Sequence, residues 1–251
     1  TTLFRSQVCI SSSNFEILQL YKLFSFNRRT KKLEYERNED NLMSKNGVEN
    51  KLPIYKLKTG KEIKKYYDLW TENNNYNKDM VDWDYSAPRE AISVFVKYNQ
   101  NNKIKIFDAG CGTGLVGIEL KKNGYNIIDG ADFSQSMLNQ VPKNLYQNLY
   151  KIDLNKKISL KDNTYDAITC VGTFTYGHVH PPALDEMTKI CKNGGNISFT
   201  INVGIYEEYG FDNKIDEMKK DGIWIIEEFF KSNYIKNKGV NAWLCLVTVQ
   251  K

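Results

Sequence analysis

Long apolar runs are missing from this chain: no stretch is long enough to span a bilayer, and a membrane partner is not expected. Cysteine is sparse, at five scattered positions (9, 111, 170, 191, 245) with no Cys-x-x-Cys pair. That pattern argues against a disulfide framework or a zinc site and fits a reducing compartment, so a cytoplasmic location is expected. Only two histidines occur, His178 and His180, with no further ligand at a recognisable spacing, so no metal is expected. Positive charge is in modest excess, at +5, and lies in separated doublets such as Lys121-Lys122 and Lys219-Lys220. Such doublets read as solvated faces, and no nucleic-acid partner is expected. What is present is an ordinary globular composition over 251 residues, 41% hydrophobic and 26% charged. One α/β domain with extensions fits that length.

The informative stretch runs from Ile104 to Gly117. Ile104, Ile106 and Phe107 read as a strand, Asp108 follows, and glycines then occupy every second position at Gly110, Gly112 and Gly114. Leu115, Val116, Ile118 and Leu120 continue as the apolar stripe of a helix. A strand, a glycine turn and a helix start form the place where an open α/β sheet receives a nucleotide-like ligand. Gly112-x-Gly114-x-x-Gly117, with Asp132 twenty residues after Gly112, also fits a dinucleotide fingerprint. Asp108-x-Gly110-x-Gly112-x-Gly114, however, resembles motif I of the class I S-adenosylmethionine-dependent methyltransferases. The acid separates the two: it would repel a nearby pyrophosphate but suits a ligand with an ammonium group and no phosphate. A dehydrogenase is the less favoured reading.

Before this motif, Ile63, Tyr66, Tyr67 and Trp70 recur at helical spacing behind a capping Thr59. An Asn-rich link and Tyr76 follow, and Ser86-Ala87-Pro88-Arg89 opens another helix with a cap and an early proline. This prelude, 59–99, is expected to form a lid over the ligand end of the sheet. Trp70 and Trp83 are read as packing residues. Further upstream, Thr1 to Ser6 resembles translated adapter sequence and Met43 is the first methionine. Residues 1–58 are therefore expected to be a disordered or spurious extension, with 1–42 excluded from fold reasoning. The alternative is a genuine helix or targeting segment over the apolar residues 15–24.

After the motif, residues 125–132 read as a second strand ending in Asp132, whose carboxylate could accept two hydrogen bonds from a ribose diol. Phe133 and Met137 could flank an adenine, and Ser134 caps a short helix. Asp129, inside the strand, is expected to face solvent. Residues 149–154 form a third strand ending at Asp153, and 163–171 a fourth. A loop carrying Thr173, Tyr176, His178 and His180 leads to a helix behind Pro181-Pro182. Asn193-Gly194-Gly195 is expected to end that helix before strand five over 196–201. A helix over 205–220, interrupted by Gly210, precedes two β-rich runs at 224–230 and 240–249. The whole is an α/β, Rossmann-like, seven-stranded, mostly parallel sheet with helices on both faces and a C-terminal antiparallel hairpin.

Within class I, residues 59–249 resemble the Williams–Beuren syndrome region methyltransferase-like proteins. The carrying residues are Tyr67-Asp68-x-Trp70 with Tyr76, Tyr85-x-Ala87-Pro88-Arg89, Asp108 to Val116, and Lys192-Asn193-Gly194-Gly195. The resemblance implies an S-adenosyl-L-methionine cofactor held by Tyr67, Tyr76, Asp108, Gly110, Cys111, Gly112, Thr113, Gly114, Asp132, Phe133, Met137, Asp153, Leu154 and Val171. It implies that Asp153 meets the exocyclic amine of adenine; a turn cap is the alternative role. Catalysis would be alignment of acceptor, methyl and sulfur, with His178 or His180 as candidate bases. The expected function is methyl transfer to a small-molecule acceptor; a protein or RNA acceptor and a non-catalytic cofactor-binding protein are the alternatives.

Overall fold

The computed structural model describes residue 57 and residues 60–71 and 74–251. The expectations for residues 1–58, including the apolar segment 15–24, and for the Thr59 cap lie outside the described residues. In chain order the elements are α1 (Gly60–Thr71), α2 (Asn75–Asp82), α3 (Ala87–Tyr98), β1 (Lys105–Ala109), α4 (Leu115–Lys122) and β2 (Ile127–Asp132). There follow α5 (Gln135–Leu138), β3 (Asn148–Lys151), β4 (Tyr165–Phe174), α6 (Ala183–Ile190), β5 (Cys191–Asn202), α7 (Phe211–Lys220), β6 (Trp224–Ile235) and β7 (Val240–Val249).

The seven strands lie in the order β3-β2-β1-β4-β5-β7-β6. Strands β1 to β5 pair in parallel, and β7 inserts antiparallel between β5 and β6. This is the expected seven-stranded, mostly parallel sheet with its terminal hairpin. The order reverses at β1 and β4, so the crevice at the carboxyl ends of these strands is the topological switch point. Each central strand feeds two cores, because alternate residues point to opposite faces. Phe107, Ile168 and Val247 pack with Leu184 and Met187 of α6 and Phe211 of α7. Ile106, Ala167 and Leu246 pack with Ile92 and Phe95 of α3 and Leu120 of α4.

Several local expectations change. Ser86 occupies the N-cap of α3, but its side chain makes no capping bond; its hydroxyl lies 2.8 Å from Glu90 Oε1. Ser134 does cap α5, accepting from Met137 N at 3.3 Å. Helix α6 stops at Ile190, and Lys192 to Gly195 form an irregularity at the start of β5, between the Tyr165–Cys191 and Ala167–Asn196 pairs. Gly210 does not interrupt a helix but starts α7 as its N-cap.

Asp129 is the clearest correction, because it is fully buried. Strand β2 lies between β1 and β3, and Asp129 stands opposite Phe107 on one side and Asn148 on the other. With both faces of the sheet covered, its carboxylate finds protein partners instead of water. It accepts from Asn148 Nδ2 at 2.7 Å and Tyr165 OH at 2.9 Å, and Lys105 Nζ lies 3.2 Å away. Removing the acid strands three polar groups. Asp129→Ala should lower the free energy of unfolding by about 2 to 4 kcal/mol in urea titration, and Asp129→Asn by less.

Candidate functional site

The glycine turn is shaped by its ties to β2. Gly110 N and Cys111 N both donate to the carbonyl of Ala131 at 2.8 Å, and Gly112 N donates to Asp132 Oδ2 at 2.9 Å. Gly110 has no room for a side chain, since a Cβ there would come within 2.1 Å of Thr173 Oγ1. Gly112, at φ +54°, has nothing within 4 Å of where its Cβ would be, so bare backbone faces open space. A ligand can lie there. The other oxygen of Asp132 accepts from Ser134 N at 2.8 Å. Burial raises the pKa of Asp132, against the pull of the backbone N–H groups of Ser134, Gly112 and Phe133.

A cleft opens over this turn. Gly110, Gly112, Asp132, Phe133 and Met137 line one part, and Asp153 and Leu154 extend it beyond β3. Gly172, Thr173 and His178 come from the end of β4 and its loop, and Ile63, Tyr67 and Tyr76 from α1 and α2. Helices α1 and α2 thus contribute part of the cleft's wall. The hub of this wall is Trp70, whose Nε1 donates to Asp79 Oδ2 at 2.7 Å and whose ring meets those of Tyr66, Tyr76 and Trp83 at 5.3, 4.9 and 5.5 Å. Three hydrogen bonds clasp the lid: Ser136 Oγ to Asp68 Oδ1 at 2.6 Å, Thr113 Oγ1 to Asn77 Oδ1 at 2.6 Å, and Gln140 Nε2 to the Thr71 carbonyl.

Ten of the residues singled out as cofactor contacts or bases line this cleft: Tyr67, Tyr76, Gly110, Gly112, Asp132, Phe133, Met137, Asp153, Leu154 and His178. Asp153 also caps a turn, accepting from Asn155 N at 3.1 Å, which is the alternative role read for it. Asp108, Cys111, Thr113, Gly114, Val171 and His180 do not line it. Cys111 and Val171 belong to the core beneath α3, and Thr113 holds the lid. A Cβ at Gly114 would come within 2.5 Å of Leu145, so that glycine serves packing. His180 is exposed and stacks on Tyr209, with ring centroids 5.0 Å apart.

Asp108 sits behind the turn, almost wholly buried, with both oxygens engaged by the protein. Tyr146 OH donates to Oδ2 at 2.6 Å and Thr169 Oγ1 to Oδ1 at 2.9 Å. Burial pushes its pKa up to about 6; the two hydroxyls pull the other way, and the nearby Asp132 charge adds to the rise. The sequence offers no sign of Tyr146, which lies outside every motif. Nor does it flag Asn155, whose side chain donates to the His178 carbonyl at 2.7 Å and accepts from His180 N at 3.0 Å. Asn155 thereby ties the loop after β4 to the one after β3.

His178 departs from its expected chemistry. Its ring lies 5.4 Å from that of Tyr67, and its buried Nε2 has no hydrogen-bond partner among the described residues. Burial pushes its pKa down to about 4. The imidazole is therefore neutral near pH 7 and able to accept a hydrogen bond, but it holds a transferred proton poorly. It suits orientation better than general base work.

A Rossmann-like sheet of this order, with an acid-backed glycine turn and a second acid at the β2 end, defines a nucleoside-cofactor domain. Residues 106–195 match the family model described as a methyltransferase domain. Methyltransferase-like protein 27 of Homo sapiens is 30% identical over 167 residues, which span 63% of this chain and 66% of that protein. The ubiquinone biosynthesis O-methyltransferase of Rickettsia akari is 32% identical over 114 residues, 43% of this chain and 45% of that one. The chain thus spans just under two thirds of one curated relative and under half of the other. Among solved structures, one from Methanococcus maripaludis assigned to the S-adenosyl-L-methionine-dependent methyltransferases superposes with a TM-score of 0.53. It is 18% identical, covering 82% of this chain and 98% of that one. The [4+2]-cyclase SpnF superposes equally well, with a TM-score of 0.53 at 12% identity, covering 65% of this chain and 81% of that one. Residues 106–195 thus carry a methyltransferase domain, and the fold is shared with a protein assigned to the methyltransferases whose cofactor is S-adenosyl-L-methionine.

The cleft fits such a cofactor. It offers a carboxylate for a diol, apolar surface at Phe133 and Met137 for a flat ring, open backbone at Gly112, and an imidazole nitrogen without a partner among the described residues. The buried acid beneath it gives a separate test. An unfolded aspartate titrates near 3.9, so the folded state binds the Asp108 proton more tightly between about pH 4 and pH 6. Stability from this group is greatest below pH 4 and falls as the pH rises, by about 3 kcal/mol in all. Relative to Asp108→Asn, the wild type should lose that amount between pH 4 and 7 in denaturant titrations; parallel curves would show that Asp108 ionises normally.

Proposed function

We propose that this chain transfers a methyl group from S-adenosyl-L-methionine to a small acceptor admitted beneath the aromatic lid. One observation carries the reading: the glycine turn and Asp132 share a single covered cleft with Tyr67, Tyr76 and His178. A cover of this kind favours a compact acceptor over a folded protein or an RNA. The Rickettsia relative acts, by its name, in O-methylation during ubiquinone biosynthesis, which fits a small hydroxyl-bearing acceptor.

When bound, the cofactor supplies a methyl group already activated by the sulfonium charge. In our reading Asp132 accepts from the ribose hydroxyls, Phe133, Met137 and Leu154 flank the adenine, and Asp153 meets its amine. Asp108 acts from behind, fixing the turn that presents Gly110 and Gly112. Tyr67 and Tyr76 exclude water and narrow the approach of the acceptor. His178 Nε2 accepts a hydrogen bond from the acceptor and so points its reacting atom.

Calorimetry with S-adenosylhomocysteine should show binding to the wild type and none comparable for NAD. Asp132→Ala should weaken that binding by about ten- to a hundredfold through loss of charge-assisted hydrogen bonds. Incubation with methyl-labelled cofactor and cell extract should place the label in low-mass products. Label found only in protein or RNA would overturn the acceptor class, and no transfer at all would point to a binding protein. With an acceptor in hand, His178→Gln should slow turnover by about tenfold and leave cofactor affinity intact, whereas loss of a general base would cost about two to four decades.

A further inference from the structure

His178 lines the cleft with a buried Nε2 that has no hydrogen-bond partner among the described residues. Burying a polar atom unpartnered is costly, so a free loop would turn this ring to water. The residue that follows fixes the loop's place but not its rotation. Val179 is buried in the core that holds Phe174 and Leu184. A chain pinned by one side chain can still turn about it, carrying its neighbour into the cleft or out of it.

The peptide groups on either side of Val179 are gripped by a single side chain. Asn155 Nδ2 donates to the His178 carbonyl at 2.7 Å, and Asn155 Oδ1 accepts from His180 N at 3.0 Å. A carboxamide carries a donor and an acceptor side by side, so it can serve both groups at once. Two bonds that bracket Val179 remove the rotation that one would leave. The loop's other backbone ties lie at or before His178: its N–H donates to the Thr175 carbonyl at 3.2 Å, and Gly177 N to Tyr209 OH at 3.0 Å. Asn155 also lines a second cavity, with Lys157, His180 and Pro182, so a released loop has room to move.

We propose that Asn155 is a positioning residue for methyl transfer, aiming the imidazole of His178 into the cleft where that ring orients the acceptor. The inference rests on the methyl-transfer reading above and adds to it the side chain that sets His178. Asn155 is exposed, so its bonds add little to stability and their worth lies in direction. Its backbone N–H donates to Asp153 Oδ1 at 3.1 Å, a bond that any residue but proline keeps. The side chain can therefore be changed with the partner of Asp153 left in place.

The chain has two histidines, so NMR of histidine-labelled protein gives two imidazoles, told apart with His180→Gln. At about pH 5.5 the wild-type His178 ring should be neutral, because burial holds its pKa down to about 4. In Asn155→Ala it should be mostly protonated, as a ring in water with a pKa of about 6.5 would be. Calorimetry should give S-adenosylhomocysteine the same affinity for both proteins. The rate of label transfer from methyl-labelled cofactor into cell extract should fall about tenfold in Asn155→Ala, as in His178→Gln, and no further in the double variant. A His178 ring still neutral in Asn155→Ala, or a double variant slower than both single ones, would overturn the role of Asn155. A wild type that does not bind S-adenosylhomocysteine would overturn the methyl-transfer reading instead, and the ring titration, which needs no ligand, still decides whether Asn155 holds His178. Asn155→Leu keeps the bulk and loses both bonds, and it decides the matter should the alanine variant prove unstable.

Discussion

The site depends on how the backbone after β1 is tied to the end of β2. One carbonyl, that of Ala131, receives two consecutive N–H groups, and one carboxylate, that of Asp132, receives a third. The turn cannot relax without breaking all three, so Gly112 keeps its open face without a ligand to hold it. Beneath them Asp108 carries the desolvation cost of a buried acid, offset by the hydroxyls of Tyr146 and Thr169. Tyr146 has a second task. A Cβ at Gly117 would come within 2.5 Å of its hydroxyl, so the glycine in α4 exists to let helix and ring approach each other. A single tyrosine therefore braces the strand end, the helix and the segment after α5.

Much of this was legible in the sequence, for physical reasons. The β1–α4 unit is marked by apolar strand residues, glycines and a helical stripe, each forced by local geometry. Asp132 stands at the end of an apolar run, where a sheet delivers its functional groups, and Ser134 two residues later is a cap by chemistry alone. What escaped depends on neighbours distant in sequence. Asp129 looked like a solvent-facing acid because periodicity within β2 says nothing about Lys105, Asn148 and Tyr165 converging on it. Asp108 was expected at the ligand because it sits in the motif, whereas the strand points it to two hydroxyls 38 and 61 residues away. Thr113 and Ser86 likewise carry the right letters for one task and perform another. The depressed pKa of His178 follows from burial, which its loop sequence does not announce.

The sheet and the turn define a cofactor class; they do not define a reaction, since a cyclase shares this fold. What distinguishes one such protein from another must lie in what covers the cleft. Here the cover is not an independent lid resting on the domain. Its three clasps end on Thr113 within the glycine turn, on Ser136 in α5 beside Met137, and on Gln140 just past that helix. All three belong to the glycine turn or to α5 and the residues just after it, the segments that bring Gly110, Gly112 and Met137 to the cleft. A shift of the turn or of α5 is therefore carried directly to Asn77, Asp68 and Thr71, and through them to Tyr76 and Tyr67. The coupling runs both ways: anything that seats the aromatic lid also fixes the turn and α5. The aromatic wall from α1 and α2 and the wall formed by the turn and α5 are therefore ordered together, by the same three hydrogen bonds.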